Sequence, residues 1–349
     1  MAALPPPLVR RPIATVVLVL AVVAGILLTP VALPVLAVVD GVTRSPARRL
    51  RVWCLVLAAL LIELAGLVAS IALTVWSVRR LDRPVTLDRF HRLEQWWVRR
   101  HARNLRRFAG VRWVIENPDD TTRGNAVVLA RHGNHADAIL PVLVFGTVGG
   151  RRMRYTLKTE LQWAPAMDIV GNRLPNVFVD RHPPTGSPIE SRLEALTAGL
   201  DNRDVAVIFP EGTFYSADRL DRAAVRIAAT HPDLEAPARS LKHLLPPRPA
   251  GTLALLRGAP RADLVLVAHE GMEVFGDLAT IARRLPLRDP VRVRVWRIPR
   301  ADVPPDEAAI VPWLLDRWLQ LDRWIEARVT ERSRGEAGAP PPEAREIEP

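Results

Sequence analysis

The chain is short of several residue types, and each shortage excludes something. A single cysteine, Cys54, in 349 residues rules out an intrachain disulfide, a cysteine-based zinc site and a cysteine-ligated iron–sulfur cluster. Only Lys158 and Lys242 are lysines among 48 cationic side chains, so nearly all positive charge is arginine. Acidic residues number 37, leaving a net charge of +11 that favours anionic partners such as phospholipid surfaces or phosphorylated ligands. No internal repeat is visible. Charge is absent altogether from Pro12 to Val39, and Val52 to Ser77 contains only Glu63. Hydrophobic residues are otherwise only 49% of the chain, which excludes a many-span transporter and wholesale disorder.

The two uncharged stretches are long enough for membrane segments and predict an N-terminal hydrophobic helical hairpin over residues 1–83. Pro30 and Pro34 interrupt the first, leaving Ile13 to Leu28 as an unbroken helix of about 24 Å, so a kinked span and a re-entrant hairpin are both open. Arginines flank both segments and lie between them. The positive-inside rule therefore leans only slightly toward cytoplasmic ends, and a cell-membrane protein with its soluble domain on the cytoplasmic face is expected. Glu63 reads either as a functional intramembrane acid or as a hydrogen-bonding contact to a partner helix. The arginine- and tryptophan-dense run from Val85 to Trp113 reads as a helix gripping an anionic membrane surface; the competing reading is a basic helix whose tryptophans pack into the core.

Beyond it the pattern becomes α/β. Strand-like runs at 126–131, 152–158, 176–180, 205–209, 263–269 and 291–298 alternate with segments long enough for helices. They predict a mixed, partly parallel sheet flanked by helices, filling a domain of residues 84–330. Val311 to Val329 reads as an amphipathic closing helix, and the charged, proline-rich residues 331–349 as a disordered tail.

The chemistry-bearing residues stand at strand ends. An apolar strand delivers His132 to a loop, and Asp137 follows five positions later. A carboxylate there can fix the imidazole tautomer and leave the other ring nitrogen as a general base acting on a hydroxyl or water. The same spacing also fits a helix cap with a structural hydrogen bond, while His132, His135 and Asp137 match no recognised metal-ligand spacing. Phe209-Pro210-Glu211-Gly212-Thr213 follows the strand VAVIF as a sharp turn with Glu211 directed into the cleft. Val177 to Arg181 is a third strand ending in charge, and Arg181 there could hold a phosphate through forked hydrogen bonds.

In order, these blocks resemble the glycerophospholipid acyltransferase family typified by lysophosphatidic acid acyltransferases. His132 to Asp137 matches its H-x4-D block, Gly171 with Phe178 and Arg181 its Gly/Phe/Arg block, and Phe209 to Thr213 its (F/Y)PEGT block. Lys158 to Leu161 looks like the lysine stretch between the first two blocks, and Leu241 to Arg248 is similar to a stretch found in the lysophosphatidic and lysocardiolipin acyltransferase branch. The fourth block departs, reading Val265 to Gly271 without its usual proline, with His269 at the strand end as either a second cleft histidine or a structural one.

The resemblance implies a membrane-bound O-acyltransferase. His132 and Asp137 would catalyse acyl transfer from acyl-CoA or acyl carrier protein to 1-acylglycerol 3-phosphate, and Arg181, Phe209, Pro210, Glu211, Gly212, Thr213 and Lys158 would form the substrate site. Gly133 and Asn134 amides are oxyanion-hole candidates. No metal or cofactor is expected beyond the acyl thioester co-substrate, and no nucleic acid. Other lysolipid acceptors (lysophosphatidylglycerol, lysocardiolipin, a glycolipid), a membrane ester hydrolase and a non-catalytic lipid-binding scaffold are the alternatives.

Overall fold

The structure, a computed structural model, describes residues 4–80, 83–180, 187–334 and 343–348. Its centre is an eight-stranded sheet in the order β4-β3-β5-β2-β6-β7-β1-β8. The strands are β1 (Trp113–Glu116), β2 (Ala126–Ala130), β3 (Arg152–Lys158), β4 (Val177–Val179), β5 (Asp204–Ile208), β6 (Asp263–Glu270), β7 (Val291–Ile298) and β8 (Arg345–Ile347). β4, β3, β5, β2 and β6 are mutually parallel, so their C-terminal ends share one edge. β7 turns antiparallel to β6, β1 runs parallel to β7, and β8 closes antiparallel on β1. The six strands expected from sequence are all present, each within about a residue or two of its expected end.

Alternation along β2 shows why both faces are covered. Ala126, Val128 and Ala130 point into one buried layer with Phe145, Trp113 and Val98, while Val127 and Leu129 point into another with Leu255, Leu264 and Trp318. A strand apolar on both faces needs helices on both sides, which is the reason a parallel sheet forms here. The helices are α1 (Pro7–Val42), α2 (Arg48–Trp76), α3 (Pro84–Asn104), α4 (Pro165–Arg173), α5 (Ile189–Thr197), α6 (Ala217–Ala228), α7 (Glu235–Arg239), α8 (Pro249–Gly258), α9 (Leu278–Arg284) and α10 (Glu307–Ser333).

Helices α1 and α2 are long and apolar enough to cross a membrane and lie against each other as the expected hairpin. The prolines do not end α1. Pro12, Pro30 and Pro34 sit inside one helix of 36 residues, about 54 Å long, because in an apolar setting the remaining backbone bonds are worth keeping and the chain tolerates the few that proline removes. Helix α2 lies along the domain for most of its length. Arg48 Nε donates to Leu285 O at 3.2 Å, Asn104 Nδ2 to Leu55 O at 2.9 Å, and a Cβ on Gly66 would stand 2.8 Å from Trp97 Cδ1. The other end of the hairpin is pinned by charge: Arg10 and Arg11 reach Asp168 of α4 at 2.8 and 2.9 Å, with Asp168 fully enclosed.

Glu63 makes the hydrogen-bonding contacts of its second reading: it accepts from Ala166 N and Trp97 Nε1, both at 3.1 Å, so it caps the start of α4 and ties α2 to α3. Two expectations are corrected. The arginine-rich segment is not one surface helix. Its α3 part buries Phe90, Val98 and Ala102 completely, a π-turn at Leu105–Ala109 and Gly110 at φ +75° end it, and Trp113 opens β1 inside the sheet. Of the tail expected to be disordered, residues up to Ser333 extend α10 and Arg345–Ile347 form β8, with Ile347 covering the otherwise open edge of β1; residues 335–342 and 349 lie outside the described residues.

Candidate active site

Five parallel strands deliver their following loops to the same edge, and that edge gathers the charged strand-end residues. β2 continues one residue past its end through Arg131 N to Val267 O at 2.9 Å, then releases His132 into the cleft. β5 releases Phe209 to Thr213 beside it. Gly212 adopts φ +70°, a backbone shape that admits glycine readily, and this makes the turn possible. β6 ends there with His269 and Glu270, and β3 with Lys158.

The two sequence blocks lock together through Glu211. Its Oε1 accepts from His132 N at 2.8 Å and its Oε2 from Leu245 N at 2.9 Å. The His132 ring packs between Phe209 and Phe214, with centroids 4.6 and 4.5 Å away, and Lys158 Nζ stands 4.6 Å over the far side of Phe214. Glu211 was expected to face substrate. It is instead a buried strut, 2% exposed with an amide on each oxygen, that ties the β2, β5 and 245 loops into one body. Burial pushes its carboxyl up to about 8, against the opposing pull of those amides and of Arg131.

Asp137 is the hub of the His132 loop. Its Oδ2 accepts from Gly133 N at 2.5 Å and Asn134 N at 2.7 Å, forming a capping box with Asn134, whose Oδ1 accepts from Ala136 N at 2.7 Å. The same Oδ2 lies 3.3 Å from His269 Nε2, while Oδ1 is buried and accepts no hydrogen bond among the described residues. The Gly133 and Asn134 amides are therefore not an oxyanion hole, since both already donate to Asp137. His269 is the cleft residue whose role the sequence left undecided; nothing in the local pattern reveals that the neighbouring strand would bring it onto Asp137. Arg131 pairs with Glu273 at 2.6 Å and also donates to His269 O. Although burial opposes it, the Arg131 guanidinium and then the neighbouring His269 hold Glu273 down to about 2.

The Gly171–Phe178 match has a direct packing basis, because a Cβ at Gly171 would come 2.8 Å from Phe178 Cζ. Arg181 lies outside the described residues, although β4 ends two positions before it at the same edge as β3. Among the described residues no group of three or more His, Cys, Asp or Glu is arranged to hold a metal ion.

A histidine and a carboxylate stand in one loop at the carboxyl edge of a parallel sheet, buttressed by a Pro-Glu-Gly turn. Residues 112–234, which include both blocks, match the family described as Acyltransferase. The fold is similar to the crystal structure of the 1-acyl-sn-glycerophosphate (LPA) acyltransferase PlsC from Thermotoga maritima. The two share 16% sequence identity and a TM-score of 0.52, over 80% of this chain and 97% of that one. No curated protein sequence matches the chain.

Proposed function

We propose that the protein transfers an acyl chain from acyl-CoA or acyl carrier protein to the free hydroxyl of 1-acylglycerol 3-phosphate, giving phosphatidic acid. The observation that carries this reading is the 2.8 Å bond from His132 N to Glu211, which joins the H-x4-D and Phe-Pro-Glu-Gly-Thr segments at one strand edge. The fold it shares with a lysophosphatidic acid acyltransferase supports the choice of acceptor.

In this reading His132 takes the hydroxyl proton as the acceptor oxygen attacks the thioester carbonyl. The tetrahedral adduct collapses, the carbon–sulfur bond breaks, and the imidazolium returns the proton to the departing thiolate. The enzyme forms no covalent intermediate and the steps require no cofactor. General base catalysis of this kind is worth about 10² to 10⁴ in rate. Asp137 stabilises the imidazolium through its charge, and its unoccupied Oδ1 is the atom available to a ring N–H. Arg181, with Lys158 beside Phe214, would take the acceptor phosphate.

Acceptor and product both carry acyl chains, so the site must work at a bilayer. We assign attachment to the hairpin. Leu27 and Val31 of α1 are 72% and 65% exposed on an apolar helix whose other side rests on α2, while α2 rests on the domain. Burying such a face in lipid is favourable by about 25 cal/mol per Å². Because α2 follows the domain, the hairpin enters lipid from its α1 side, with the catalytic domain on the cytoplasmic face where thioester donors are made. The test is a donor and acceptor panel with purified protein in nanodiscs, read by mass spectrometry. Phosphatidic acid from 1-acylglycerol 3-phosphate is expected. Another acylated lysolipid would reassign the acceptor, and free fatty acid alone would make the protein a hydrolase.

A further inference from the structure

A groove of about 1050 Å³ is lined by Glu211, Gly212 and Thr213 and runs between α6 and the segment Leu245–Ala250. Arg222 and Arg226 line it from α6, and Arg248 from the opposite wall. The Arg248 guanidinium lies against the open face of Gly212, where an added Cβ would stand 3.1 Å from Cζ, and its backbone N donates to Pro210 O at 2.9 Å. Among the described residues no carboxylate lies within ion-pair distance of Arg222, Arg226 or Arg248, unlike Arg152, Arg297 and Arg332, each of which meets an acid. Of the two acids that line the groove, Asp221 is taken by Arg239 of α7 and Glu211 by two backbone amides. Desolvation, and then the nearby charge of Arg226, hold Arg248 below its ordinary value.

Three guanidinium groups without an ion pair, with a fourth, Arg219, held on Phe214 O, form an anion site in one concavity, and its size exceeds what a single phosphate fills. The groove lies next to the His132 loop, because Glu211, which lines it, also accepts from His132 N. We propose that this groove seats the phosphorylated nucleotide end of an acyl-CoA donor, with the 3′-phosphate and the pyrophosphate on Arg222, Arg226 and Arg248 and the pantetheine arm running inward past Gly212 to His132. The assignment rests on the acyl-transfer reading above for its donor but concerns residues to which that reading gives no role. Pro246, Pro247 and Ile227 supply the apolar wall against which an arm of that kind can lie.

The experiment compares palmitoyl-CoA with palmitoyl-pantetheine, the same thioester without the nucleotide, in full-length protein in nanodiscs at a fixed concentration of 1-acylglycerol 3-phosphate. Arg222→Ala, Arg226→Ala and Arg248→Ala are each expected to raise KM for palmitoyl-CoA about tenfold, the size of one lost charge-assisted hydrogen bond. Kinetics with palmitoyl-pantetheine and KM for the acceptor should not change, which also shows the variants to be folded. Arg226→Lys and Arg248→Lys should recover part of the affinity, and added salt should weaken palmitoyl-CoA selectively. Calorimetric binding of CoA itself needs no turnover and keeps the two readings apart. Arginine-dependent CoA binding without transfer from any donor would uphold the groove and sink the acyl-transfer reading. Equal CoA affinity in wild type and variants, equal losses with both donors, or a loss confined to acceptor KM would overturn the groove assignment.

Discussion

Replacing Glu211 by glutamine separates two ways in which a buried carboxyl can hold loops together. In the native protein its oxygens receive His132 N and Leu245 N in a region where it is 2% exposed, and burial pushes the group up to about 8. The folded-state value lies above the ordinary 4.5, so the neutral form is the one the fold prefers. Its contribution to stability is complete below about pH 4.5 and is lost as pH rises through 8. That interval corresponds to at most about 5 kcal/mol. Glutamine carries no charge but accepts through one oxygen only, so its NH2 faces one of the two amides donor to donor and Glu211→Gln should lie about 1 to 3 kcal/mol below wild type near pH 5. By pH 9 the balance should move several kcal/mol toward the variant, because only wild type then carries a buried charge. Glu211→Ala orphans two buried amides and should cost about 2 to 6 kcal/mol throughout. Thermal unfolding of the protein in nanodiscs from pH 5 to 9 reads all three. A wild-type-to-Gln difference that is flat with pH would refute the reasoning, and would mean that Arg131 and the two amides keep Glu211 ionised.

Further outcomes follow from other contacts. Asp168→Ala strands Arg10 in a buried position and should destabilise the junction of α1 with α4 by about 3 to 5 kcal/mol, seen as faster protease cleavage near the start of α1. Gly171→Ala forces a methyl to 2.8 Å from Phe178 Cζ and should lower stability by about 1 to 3 kcal/mol, measured by the same unfolding assay, with a larger loss of activity than a surface alanine gives. Glu273, held down to about 2 by Arg131, stabilises the loop above the ordinary 4.5 and loses that contribution as pH falls from there toward 2. Its side chain is half-exposed, so solvent and salt screen the effect, and Glu273→Gln should flatten only the acid limb of the unfolding profile.

The legible parts of this molecule are those governed by short-range pattern. Short, nearly continuous apolar runs mark β2, β5 and β6 as buried strands, and the motif residues follow strand ends because the carboxyl edge of a parallel sheet is where loops converge. Proline was misleading in α1, where the surroundings and not the local propensity decide, and Trp113 was misleading because a tryptophan beside arginines reads as interfacial until the sheet encloses it completely. The partners of Asp137 were illegible for a different reason. Its contact with His269 spans the β2–β6 pairing, a long-range register that no local spacing encodes. Glu211 as strut and not ligand, and Glu63 as cap, likewise depend on which backbone amides the tertiary fold brings near.

The most direct measurement compares wild type with His132→Ala in nanodiscs containing 1-acylglycerol 3-phosphate and palmitoyl-CoA, scoring phosphatidic acid by mass spectrometry alongside nanodisc retention and melting temperature. The account predicts that the variant stays folded and membrane-bound while transfer falls by about 10² to 10⁴. Transfer within a few fold of wild type in a folded, bound variant would contradict the claim that this imidazole is the base.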